Sequence, residues 1–190
     1  MRDFILKLAR EAIETYVKTG KRIPIPKNYP EGLKEEKGVF VTIYKKSSKE
    51  LRGCIGLPHP QIPLIEGLIT AAVSVCKDPR FKPLQEEELN DIFIEISVLT
   101  EPELIKTANP KDYLKEVEIG KHGLIIRKGM FNGLFLPKVP VEQNWNIEEY
   151  FENLCYKAGL TGDAWIDPLS RIYRFEAEVI SELSDNHNSL

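Results

Sequence analysis

Residues 92–99 read Ile-Phe-Ile-Glu-Ile-Ser-Val-Leu, and no other stretch limits the fold of this chain as strongly. Ile92, Ile94, Ile96 and Val98 occupy every second position, the period of a strand with one buried face. The other face carries Phe93, Glu95, Ser97 and Leu99, so a carboxylate is set amid apolar neighbours, where leaving it unpaired is costly. Val39, Val41 and Ile43 alternate with Phe40, Thr42 and Tyr44 in a second strand. Ser47-Ser48-Lys49 turns the chain, and residues 50–55 return as its hairpin partner. A second hairpin runs through residues 122–128 and 133–136, turning at 129–132, and residues 171–180 form a last strand.

Helical spacing appears at Phe4, Ile5, Leu8, Ala9, Ala12, Ile13, Tyr16 and Val17, with Gly20 as the stop. A second helix, apolar on most sides and therefore buried, covers residues 62–76. A short helix suits residues 85–89. Asn109-Pro110 starts another short one, and Asn146 caps a third that ends at Gly159. Pro24, Pro26 and Pro30 make residues 21–36 an extended surface segment. Strands and helices mix without a βαβ rhythm. The pattern predicts an α+β fold, mainly antiparallel sheet with flanking helices, rather than a doubly wound one. The 190 residues suffice for one domain, with one core or two lobes sharing one, and residues 184–190 read as a frayed polar tail.

The bulk numbers exclude several classes. Hydrophobic content of 42% and charged content of 29% are those of an ordinary soluble protein. A net charge of −3 gives no basic field for nucleic acid. No apolar run reaches the roughly 18 residues of a membrane span. The first sixteen residues are amphipathic and carry Asp3, Glu11 and Glu14, unlike a signal or transit peptide. Three widely spaced cysteines argue against a disulfide framework and for a reducing cytoplasm.

Chemistry concentrates at Leu51-Arg52-Gly53-Cys54-Ile55-Gly56. Gly53 and Gly56 can take backbone angles closed to other residues and leave amides uncovered, and Arg52 adds a permanent charge. An exposed thiol there would favour thiolate, more so if the N-terminal end of the next helix faces it. The competing reading is a small buried residue at a tight strand end. Alternation puts Arg52 on the face of Cys54, where its fork would hold a carboxylate or phosphate. The competing reading there is a solvated arginine. His122, with a near-neutral pKa, is the candidate base, or else a turn histidine bonded to backbone. Glu95 would pair with Arg52 or Arg80, or orient a base. Arg80 lies in the rigid loop Asp78-Pro79-Arg80-Phe81-Lys82-Pro83 and joins Arg52, Gly53 and Gly56 as a candidate binding residue. Cys76 and Cys155 belong to apolar helices and read as core. There is no C-x-x-C, and Cys54 with His59 makes a weak metal pair, so no metal site is expected. Phosphate-loop, dinucleotide and G-x-S-x-G patterns are absent. Phe131, Phe135, Pro137 and Trp145 form either core or an apolar surface that meets a partner.

The hexapeptide Leu-Arg-Gly-Cys-Ile-Gly resembles the hallmark of the AMMECR-type domain. The same family's pattern is matched in order by Asp78-Pro79-Arg80-Phe81, Ile94-Glu95-Ile96-Ser97-Val98-Leu99 and Gly120-Lys121-His122-Gly123-Leu124. It continues through Gly133-Leu134-Phe135-Leu136-Pro137, residues 142–145 and Leu154-Cys155-Tyr156-Lys157-Ala158-Gly159-Leu160. The resemblance implies a larger and a smaller lobe with the hexapeptide near the groove between them, and a cytosolic protein. It also implies company, because similar domains occur beside or fused to Memo-like and radical-SAM-like proteins. It implies no settled activity.

Two functions follow. In the first, Cys54 is the reactive group of an enzyme, Arg52 holds an anionic group of a small substrate, and His122 or Glu95 handles protons. In the second, the chain is a protein-binding module and the hexapeptide is a structural turn. Cofactor and reaction are not specified by these residues, and a homodimer is compatible with them.

Overall fold

The computed structural model describes residues 1–58 and 62–183. His59 and the tail 184–190 lie outside the described residues. Two four-stranded sheets organise the chain. It divides into two compact units, residues 1–99 with the chain from Glu178 onward, and residues 100–177. The α+β expectation is met: the strand pairings given by register are antiparallel, and helices flank both sheets.

The first unit opens with α1 (Arg2–Thr19), which buries Ile5, Leu8, Ala9, Ala12 and Ile13 at helical spacing. Gly20 closes it at φ 70°, a left-handed position that glycine takes without strain, and its N–H reaches the Tyr16 carbonyl. Next come β1 (Val39–Lys45), β2 (Leu51–Leu57), α2 (Leu64–Val75) and β3 (Ile92–Leu99). The sheet order is β2-β1-β3-β8, with β8 spanning Ala177–Ser181. α2 packs on α1 on one side and on β1 and β2 on the other, which is why it is apolar nearly all round. Ile92, Ile94 and Ile96 are at most 1% exposed beneath the helices, each worth about 2 kcal/mol of apolar burial.

The second unit holds β4 (Glu103–Leu104), β5 (Gly123–Lys128), β6 (Phe131–Phe135), α3 (Lys138–Glu142), α4 (Ile147–Lys157) and β7 (Arg171–Phe175). Its sheet runs β4-β7-β5-β6. Asn146 and Glu149 start α4 reciprocally, each side chain accepting the other's backbone N–H. Each unit has its own apolar cluster.

Three expectations need revision. Residues 171–180 are not one strand: the chain breaks at Glu176, so β7 joins the second sheet and β8 the first. The short helices at 85–89 and 109–117 are 3-10 turns, Glu86–Asp91 and Pro110–Lys115. β4 and α3, of two and five residues, are too short to carry a periodic signal.

Candidate functional site

The register between strands decides which side chains meet. Thr42 stands opposite Cys54 on one side and Glu95 on the other, so Cys54, Thr42 and Glu95 form one cross-strand row. Gly56, Phe40 and Ser97 form the next row on the same face. Tyr44 and Phe93 stack beyond, with ring centroids 5.1 Å apart. Thr42 is 1% exposed, and its hydroxyl donates to the Cys54 sulfur at 3.2 Å. Cys54 is half-buried.

The backbone of Cys54 is held from residues 78–80. Its N–H donates to Asp78 Oδ2 at 2.9 Å, and its carbonyl accepts from Arg80 Nη2 at 3.1 Å. Asp78, whose side chain is 1% exposed, also accepts from Arg80 Nε, Nη2 and N at 3.0, 2.7 and 3.0 Å. The Arg80 hydrogen bonds, joined by the Cys54 amide, hold the Asp78 carboxyl at about 2 against the opposing effect of burial. Arg80 is itself shifted up, mainly by Asp78 and in smaller part by its electrostatic interaction with Cys54, so its charge lies within electrostatic reach of the sulfur. Its side chain is 56% exposed, and Nη1 takes no part in these bonds.

Arg52 corrects the strand-face argument. Gly53 pairs with Ile43 and Leu51 with Tyr44, so Arg52 is the extra residue at a register shift, where alternation no longer holds. Its Nε and Nη2 grip Glu88 at 2.6 and 2.9 Å, and Nη2 also donates to the Lys82 carbonyl at 2.9 Å. That fork is spent inside the protein. The carboxylates that meet Arg52 and Arg80 are Glu88 and Asp78.

The glycines are also explained by contact rather than by backbone angle, since neither has a positive φ. A Cβ on Gly56 would lie 2.3 Å from the Phe40 ring, and one on Gly53 would lie 3.1 Å from the Val75 carbonyl. Val75 ends α2, so the helix end beside Gly53 is the negative one, and no dipole favours thiolate from that side.

The other thiols fit the core expectation. Cys76 and Cys155 are at most 2% exposed, and burial pushes them up to about 12 and about 11. Phe135 and Trp145 pack at the second core, while Phe131 is half exposed. Among the described residues, no group of three or more His, Cys, Asp or Glu is arranged to hold a metal, and no helix is long and apolar enough to cross a membrane.

His122 belongs to the second unit. Its Nδ1 accepts the Glu118 N–H at 2.9 Å, and its carbonyl accepts the Tyr150 hydroxyl at 3.2 Å. Burial, then the charges of Arg174 and Lys121, lower its pKa, so the ring is neutral at neutral pH. The Nδ1 lone pair that a base would use is taken by a backbone amide.

Three residues of this site escaped the sequence reading. Thr42 was visible only as one position of an alternating strand, Asp78 only as the start of a rigid loop and part of a family match, and Glu88, 36 residues from Arg52, carried no signal.

The fold and the row around Cys54 define an α+β protein with a half-buried thiol clamped by an arginine-carboxylate pair. Residues 6–180 match the AMMECR1 family model, and the chain belongs to that family. It is 50% identical to Protein MJ0810 of Methanocaldococcus jannaschii over 95% of this chain and 89% of that one. It is 47% identical to Protein PYRAB00100 of Pyrococcus abyssi over the same shares. The crystal structure of the uncharacterized protein PH0010 from Pyrococcus horikoshii superimposes with a TM-score of 0.87 at 46% identity. That match covers 93% of this chain and 88% of that one.

Proposed function

We propose that this AMMECR1-family chain is a thiol-dependent enzyme with Cys54 as nucleophile. The observation that carries the reading is the sulfur accepting a hydroxyl hydrogen bond from buried Thr42 with the anchored charge of Arg80 in electrostatic reach. A hydroxyl donor and a neighbouring guanidinium are the kind of groups that a nucleophilic thiol uses. Arg80, half exposed with Nη1 outside the bonds to Asp78 and the Cys54 carbonyl, takes the anionic group of a small substrate, the part first assigned to Arg52. Three free cysteines suit a reducing cytoplasm. Memo-like and radical-SAM-like proteins remain the proposed company.

The test is competitive alkylation of the native protein, with labelled sites mapped by mass spectrometry. Cys54 is expected to react at least about tenfold faster than Cys76 or Cys155 at neutral pH, and Thr42→Val to slow it several-fold. Equal or slower labelling of Cys54 overturns the nucleophile. The binding-module reading then stands, supported by the fact that Arg52, Gly53 and Gly56 are each accounted for by internal contacts.

A further inference from the structure

His122 lines a cleft of about 320 Å³ in the second unit, at the lower end of small-molecule pocket sizes. Lys121 precedes it in the turn before β5, Arg174 comes from the end of β7, Glu176 from the break that follows it, and Thr100 and Glu103 from the chain around β4. The hydrogen bonds fix what each group offers. A backbone N–H can only donate, so His122 Nδ1 is an acceptor and the proton of the neutral ring sits on Nε2. Arg174 spends Nε on Glu103 and Nη1 on Glu116, leaving Nη2 outside these bonds. Glu176 Oε1 stands 3.7 Å from Lys121 Nζ and 3.9 Å from His122 Nε2, too far for a hydrogen bond to either. Donors and acceptors therefore face one another across a gap.

A simple anion would meet Glu101, Glu103 and Glu176, and a simple cation would meet Lys121 and Arg174. A ligand carrying both charges satisfies both sets. We infer that this cleft binds a small zwitterion of the α-amino-acid type. Its carboxylate accepts from His122 Nε2–H and Arg174, and its ammonium donates to Glu176. The inference is independent of Cys54 chemistry.

The test titrates the intact isotope-labelled protein with each of the twenty protein amino acids at millimolar concentration. The Lys121 and Glu176 amides and the His122 ring nitrogens are followed by NMR. At least one amino acid is expected to give saturable shifts, and its deaminated acid and decarboxylated amine to bind about tenfold more weakly. Glu176→Gln should weaken binding by a similar factor. His122→Gln, which keeps an N–H donor, should bind better than His122→Ala. No saturable shift from any amino acid overturns the inference. So does an acid or amine analogue that binds as tightly, or a His122 ring found with its proton on Nδ1.

Discussion

Two arginines close on carboxylates beside the same hexapeptide, and burial is reversed between them. Arg52 is 9% exposed at the side chain and its partner Glu88 is 30% exposed. Arg80 is 56% exposed and its partner Asp78 only 1%. In the first pair the cation is sealed in, its fork filled by Glu88 and the Lys82 carbonyl, and the pair ties β2 to the 3-10 turn at Glu86–Asp91. In the second pair the anion is sealed in and the cation is left at the surface beside a thiol. The same ion-pair chemistry thus yields a brace in one place and a presented charge in the other. The partner that is buried decides which.

The comparison breaks most readily at the buried anion. Asp78→Ala removes the acceptor of the Cys54 N–H and the anchor of Arg80, and should cost about 3 kcal/mol. Glu88→Ala leaves Arg52 buried with only a carbonyl partner and should cost about 2 kcal/mol. Urea unfolding of the two variants measures both. A cost for Asp78→Ala no larger than that of a surface carboxylate would remove the distinction.

Acid sharpens it. Both carboxyls are depressed on folding, Asp78 from 3.8 to about 2 and Glu88 in the same direction, each chiefly by its arginine. A depressed carboxyl stabilises the fold above its unfolded value and loses that contribution as pH falls through the folded one. Asp78 should therefore contribute about 2 kcal/mol at neutral pH, lost between pH 3.8 and about 2. Melts of the parent should show this acid loss, and melts of Asp78→Asn should lack it.

The smallest effect is the most specific. Arg80→Met should slow alkylation of Cys54 by about tenfold at neutral pH, while Arg52→Met should lower stability and leave the labelling rate within about twofold. Equal slowing by both would mean that Arg52 also acts on the sulfur and that the two pairs do not differ in kind.

Periodicity made the α+β class and most elements legible. The isoleucines of β3 are buried where alternation puts them, and α1 stops at Gly20 as its spacing predicts. The hexapeptide singled out Cys54, which is half-buried where Cys76 and Cys155 are buried. It did not show that Arg52 sits at a register shift, that its partner would be Glu88, or that Thr42 would bond to the sulfur. The last strand was misread because residues 171–180 are locally one extended run, and nothing in that run says that its two ends serve different sheets.

The residues themselves determined what repeats over a few positions: which faces are apolar, where helices stop, which thiol stands apart from the core. Those properties follow from side-chain spacing and local backbone preference. Register, pairing and burial were decided only by the tertiary structure. Thr42 meets Cys54 and Glu95 through the alignment of three strands, and Asp78 meets Cys54 across 24 residues of sequence. A carboxylate that many arginines could bind carries no mark in the sequence of the one that reaches it.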